Sequence, residues 1–228
     1  MRRMALVVMG LTMAWTMAAQ EKSEPYPKMA PLEGYLMERE AEVALARSAA
    51  PTSISADADV LVLGRNGYET AAKGKNGFVC LVERGWAGDK EDRDFWNPKL
   101  RGPMCLNAPG ARTHLPGIFK RTELVLAGKS KAQVFEGLTS AYEKKELPAP
   151  EAGAMCYMMS KEGYLGDSAG HWHPHLMFFY PRNEESVWGA NLAGSPVLAD
   201  QSEADRVTVF IIPVLKWSDG TLGPTDTH

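Results

Sequence analysis

Between residues 59 and 83, three short apolar runs are separated by Arg65-Asn66-Gly67 and by Lys73-Gly74-Lys75-Asn76-Gly77, and this punctuation restricts the fold more than any other stretch of the chain. An Asn-Gly pair between strand-like runs signals a two-residue hairpin, because both central residues of a type I′ turn need positive φ. The runs 59–63, 68–72 and 77–83 are therefore expected to form a meander of three strands. In the third run Phe78, Cys80 and Val82 alternate with Val79, Leu81 and Glu83. It is apolar on both faces for most of its length, which predicts a central strand covered on each side.

Helical patterning flanks this block. Residues 34–49 hold Leu36, Ala41, Val43, Leu45 and Ala46 among charges and stop before Pro51. Helical spacing returns at 115–126 and at 130–145, where Ser130 is a natural N-cap and Val134, Leu138 and Tyr142 fall on one face. Ahead of these two, 86–113 is rich in Gly, Pro, Asn and Asp and reads as a long site-shaping loop anchored by Phe95-Trp96. The last third holds strand-like runs at 154–160, 175–180 and 207–215, with Pro213 marking a bulge or an edge. The order predicts an α+β fold: an antiparallel sheet of five or six strands with two to four helices packed on one face. This element order resembles that of GAF and PAS sensory domains and of profilin-like modules. One domain is expected over 34–220, after a flexible lead-in at 20–33 containing Pro25, Pro27 and Pro31 and before a tail at 221–228.

Residues 1–19 read as a secretory signal peptide: Arg2 and Arg3 precede the apolar run 4–13, and Ala18 and Ala19 supply small residues for cleavage. The apolar run is shorter than the ~20 residues a membrane-spanning helix needs. The expected product is a periplasmic or secreted protein with no membrane attachment after cleavage. Without Arg2 and Arg3 the chain carries 23 basic against 28 acidic residues, a formal net charge of −5. No nucleic-acid partner is expected, since neutralising phosphates needs a basic surface. In an oxidising compartment Cys80 and Cys105 are the preferred disulfide, closing the irregular stretch between them and leaving Cys156 free. Three reduced, buried cysteines are the competing arrangement.

The sharpest chemical feature is Gly-His-Trp-His-Pro-His at 170–175, which places His171, His173 and His175 at alternate positions before an apolar strand. Neutral imidazole is the commonest metal ligand, so the cluster predicts a divalent transition metal, zinc first and copper or iron after it. At about 3.3 Å per strand residue His171 and His175 would stand roughly 13 Å apart. Only a neighbouring His-x-His pair can then share an ion, and His114, Glu83, Asp167 or Cys156 would complete the site. The glycine followed by His-x-His is similar to the cupin metal motif, but Met177 and Phe178 stand where that motif places its glutamate. A small-molecule ligand is the other expected partner, bound in a pocket beside the imidazoles that uses Tyr164, Asp167 and Trp172. Two readings compete with this: a non-catalytic sensor-like or interaction domain whose histidines are structural, and an enzyme in which His173 is a general base oriented by Asp167.

Overall fold

The computed structural model describes residues 24–167, 173–182 and 185–224. One sheet of eight strands runs through them: β1 (Asp59–Gly64), β2 (Gly67–Ala72), β3 (Val79–Glu83), β4 (Gly102–Leu106), β5 (Met155–Met158), β6 (His175–Pro181), β7 (Leu198–Ser202) and β8 (Val207–Pro213). Their spatial order is β2-β1-β3-β4-β5-β6-β8-β7. The class is α+β, but the expected architecture is corrected in three respects. The sheet has eight strands rather than five or six, β1 and β3 pair in parallel so the sheet is mixed, and helices pack on both faces. The likeness to GAF, PAS and profilin-like modules, which rested on the expected sheet, goes with it.

The meander also rearranges. Asn66-Gly67 does turn β1 into β2, with Gly67 at φ 117° and Gly64 paired to Gly67. The chain then crosses the start of β1 to reach its other side, instead of laying β3 against β2. Gly74 makes this crossing, its nitrogen donating to Asp59 Oδ1 at 2.7 Å. A Cβ there would fall 2.2 Å from the Asp57 carbonyl oxygen, so no larger residue fits without moving backbone. The physical reason for the order lies in the side chains. β2 is polar at Glu69 and Thr70 and suits an edge, whereas β1 is buried along Val60, Leu61, Val62 and Leu63 and takes a neighbour on each side.

Strands β1, β3 and β4 are apolar on both faces, which is why helices cover both. Below the sheet, α1 (Arg39–Arg47) lays Leu45 and Ala46 on Val60, Cys80, Val82 and Cys105. Above it, α3 (Ala108–Thr113) and α4 (Leu115–Leu126) bring Leu115 and Ile118 onto Leu61, Leu81, Met104 and Leu106. Helix α5 (Lys131–Glu143) packs on α4 through Val134 and Leu138, and Ser130 caps it in a capping box with Gln133. The short α2 (Thr52–Ser55) completes the helices. Tyr26, Met29 and Ala30 of the proline-rich lead-in pack against the cluster formed by Tyr35, Trp86, Phe95 and Trp96.

Cys80 and Cys105 form a disulfide between directly opposed residues of β3 and β4, and Cys156 is free and buried. Their Cα atoms are 4.0 Å apart, the close spacing of a non-hydrogen-bonded antiparallel pair. Pro103, two residues back and opposite Val82, sits in a pair of the same kind, so β3 does not require the N–H that proline lacks.

The outer strands β6, β8 and β7 are covered differently. On the lower face Trp188 stacks on Phe210 with ring centroids 4.6 Å apart and also meets Phe178 and Tyr180. On the upper face Phe179, Met177 and Val209 adjoin Leu115 and Ile118 of α4, and Val207 and Ile211 flank Val209 along β8. The segment following β3, which begins with a 3-10 turn at Gly85–Ala87, arches over this face.

Candidate functional site

The arch leaves a cavity of about 450 Å³ between the loop and the upper face of the outer sheet. Its apolar floor is built by the two-residue period of the strands: Met104 on β4, Met158 on β5, Met177 and Phe179 on β6, and Val207, Val209 and Ile211 on β8. Its roof is Ala87, Gly88, Asp89 and Asp92. The roof is anchored from α4, where the Arg121 guanidinium donates to the carbonyls of Trp86 at 3.2 Å and Gly88 at 2.9 Å. The Trp86 indole N–H donates to Thr122 Oγ1 at 3.2 Å. Arg121 also donates to Asp205 Oδ2 at 2.6 Å, and the Ser202 hydroxyl donates to the same oxygen at 2.7 Å. One buried guanidinium thus ties together α4, the roof and the connection between β7 and β8.

The polar end of the cavity gathers Glu83, His114, Asp205, Asp89 and Asp200. Glu83 ends β3 opposite Gly102, and no described residue donates a hydrogen bond to its carboxylate. Burial pushes its pKa up to about 7, with Asp205 adding to the rise and Arg121 opposing it. His114, at the junction of α3 and α4, stacks on Phe179 at 3.8 Å between ring centroids. Burial drops its pKa to about 4, so the imidazole is neutral at pH 7. For Asp205, burial raises the pKa, but Arg121, the Ser202 hydroxyl and His114 together hold it below the usual carboxylate range. Asp89 is lifted to about 6 by burial and then by the neighbouring Asp200 carboxylate. A carboxyl that ionises near neutrality beside a neutral imidazole can accept a proton or pair with a ligand cation.

Of the described residues of the histidine segment, His175 lines this cavity. His175 is the first residue of β6 and, opposite Met158, faces the cavity with Met177 and Phe179, as the alternation predicts. Its Nδ1 donates to the His173 carbonyl at 2.7 Å, and burial lowers its pKa. His173 precedes the strand and does not line the cavity, while His171 and Trp172 lie outside the described residues. Tyr164 pairs with Arg101 in an isolated bridge and does not line the cavity, although the next residue, Leu165, does. Asp167 is exposed and accepts hydrogen bonds from the hydroxyls of Tyr26, at 2.8 Å, and Tyr164. Of the further metal donors expected, Glu83 and His114 share the cavity with His175, and Cys156 lies buried on the strand beneath. Among the described residues no three His, Cys, Asp or Glu side chains converge on one ion position.

No family model, curated protein or solved structure matches this chain. The site therefore stands on its own geometry. Arg121, Asp205, Asp89 and Asp200 were not reached from the sequence. The available signal was slight: Glu83 ends an otherwise apolar central strand, and a carboxylate there must be buried, paired or used.

Proposed function

We propose that this chain is an exported protein that binds a small molecule in the cavity above β6 and β8. The observation that carries this reading is the apolar sheet face with a cavity above it. Met177, Phe179, Val209 and Ile211 form its floor, which meets α4 where His114 stacks on Phe179 and is roofed by a loop that is itself pinned by Arg121. The volume of about 450 Å³ falls within the roughly 300–1,000 Å³ of ligand pockets, and the mixture of apolar walls with a few convergent polar groups is typical of them. The export assignment is supported by the pattern of residues 1–19, which lie outside the described part, and by the disulfide. Among the described residues no helix is long and apolar enough to cross a membrane.

Binding of the fluorescent apolar arylamine N-phenyl-1-naphthylamine tests the cavity. Saturable one-to-one enhancement is expected for the wild type and should be abolished in Val209→Trp, whose indole fills the floor. Equal binding by a folded Val209→Trp protein, or none by the wild type, would remove the reading.

A further inference from the structure

The charges around the cavity are one-sided. Of the carboxyl groups that line it, Glu83, Asp89, Asp92, Asp200 and Asp205, only Asp205 forms an ion pair among the described residues. Among the described residues the lining includes no lysine. Its one arginine is committed elsewhere, Arg84 Nη2 lying 2.8 Å from Glu42 Oε1 of α1, and Arg121, which anchors the roof, is paired with Asp205. The two histidines that line it, His114 and His175, are held toward their neutral forms by burial. The wall thus offers an incoming ligand hydrogen-bond acceptors and negative charge at one end and thioether, phenyl and branched aliphatic surface at the other.

We propose that the ligand is an organic cation, with an ammonium group seated against Glu83 and an apolar body lying across Met104, Met177 and Val209. This rests on the reading of the cavity as a ligand site and adds the chemical class. A carboxylate with no donor among the described residues, held in a partly desolvated wall, gains most from a partner that brings both charge and N–H groups. An anionic ligand would face the same unpaired carboxylates without a free guanidinium or ammonium to receive it. A bare divalent ion fits the site poorly, because no three donor side chains among the described residues converge to hold one. An amine needs only one carboxylate and an apolar floor.

Three six-carbon probes separate the possibilities: hexylammonium, neutral hexan-1-ol and hexanoate. They are titrated at pH 8, above the value of about 7 to which burial lifts Glu83, into protein carrying ¹³C-methyl methionine. The methyls of Met104, Met158 and Met177 report occupancy of the floor directly. Hexylammonium is expected to shift these resonances and to bind at least about tenfold more tightly than hexanol or hexanoate, the scale of one charge-assisted pair. Glu83→Gln, which preserves shape, should abolish that preference while leaving hexanol binding within about twofold, since apolar burial is unchanged. If hexanol or hexanoate binds as well as the amine, the cavity remains a ligand site and the cation assignment is overturned. A preference for the amine that survives Glu83→Gln overturns the role of Glu83. If none of the three moves the methionine methyls, the ligand site and the cation proposal fall together.

Discussion

Replacing Glu83 with glutamine should change how stability depends on pH, with a sign and size set by where the carboxyl sits. In the folded protein burial raises its pKa from the ordinary 4.5 to about 7. Below pH 4.5 the carboxyl is protonated in both folded and unfolded chains and glutamine is a close mimic, so wild type and variant should be equally stable. As pH rises through this window the unfolded chain loses the proton first, and wild-type stability falls until the folded carboxyl also ionises near 7. At ~1.4 kcal/mol per pH unit the loss amounts to about 3 kcal/mol. Asp89, also raised, acts in the same direction. His114, lowered, acts in the opposite one, its contribution being lost as pH falls from 6.5 toward 4. Both residues are present in wild type and variant, so subtraction isolates Glu83. Urea unfolding with the disulfide intact, at intervals from pH 4.5 to 8, should show Glu83→Gln gaining on the wild type by about 3 kcal/mol across the range. A difference that stays constant to within about 0.5 kcal/mol would mean that Glu83 titrates as a solvated carboxyl, and the description of the polar end would be wrong.

Two further outcomes test the frame that holds the site. Arg84 and Glu42 are fully buried, and the guanidinium also donates to the Tyr35 carbonyl at 2.8 Å while Glu42 accepts from the Leu63 amide at 3.0 Å. Glu42→Ala should cost about 3–5 kcal/mol by leaving a buried cation unpaired, and Glu42→Leu combined with Arg84→Met should recover most of it. Melting of Glu42→Ala within about 2 °C of the wild type would refute the pairing. The Cys80–Cys105 bridge closes a separation of 25 residues, and its removal by paired alanines should cost about 3 kcal/mol. Peptide mapping of unreduced protein should recover this bridge, with Cys156 alkylated only after unfolding; three thiols reactive without reductant would refute it.

The sequence was most readable where local chemistry and burial agree. The apolar runs at 59–63 and 175–180, the Asn66-Gly67 turn and the helix over 115–126 all lie where patterning places them, because each has one dominant period and a clear punctuation mark. The two strands missing from the expected sheet fail that condition for different reasons. β4 contains Gly102 and Pro103, which demote a strand unless the pairing type is known, and it lies within a run whose composition reads as loop. β7 is Leu-Ala-Asp-Gln-Ser, half-exposed at the sheet edge, with no apolar run to find. Strand order was not readable either, since the crossing at Gly74 is decided by which face of β1 still needs a neighbour. That is a tertiary condition.

The site was hidden for the same reason. His-x-His-x-His stands out because its imidazoles are close in sequence, yet of its described residues His175, and not His173, has the strand position that turns a ring toward the cavity. Glu83, His114, Arg121 and Asp205 come from three separate segments, the end of β3, helix α4 with its N-cap, and the β7–β8 connection, and are unremarkable singly. They acquire chemistry by being brought under one roof. Arg121 shows how: by holding the carbonyls of Trp86 and Gly88 together with Asp205, it closes the roof over Glu83 and also spends its charge, so that Glu83 is desolvated without being neutralised. If the same guanidinium reached Glu83 instead, the carboxyl would be an ordinary buried ion pair with no proton to exchange near neutrality. The reactivity of the polar end therefore depends on which acid Arg121 chooses, and that choice is fixed by the connection between β7 and β8, more than 80 residues further along the chain.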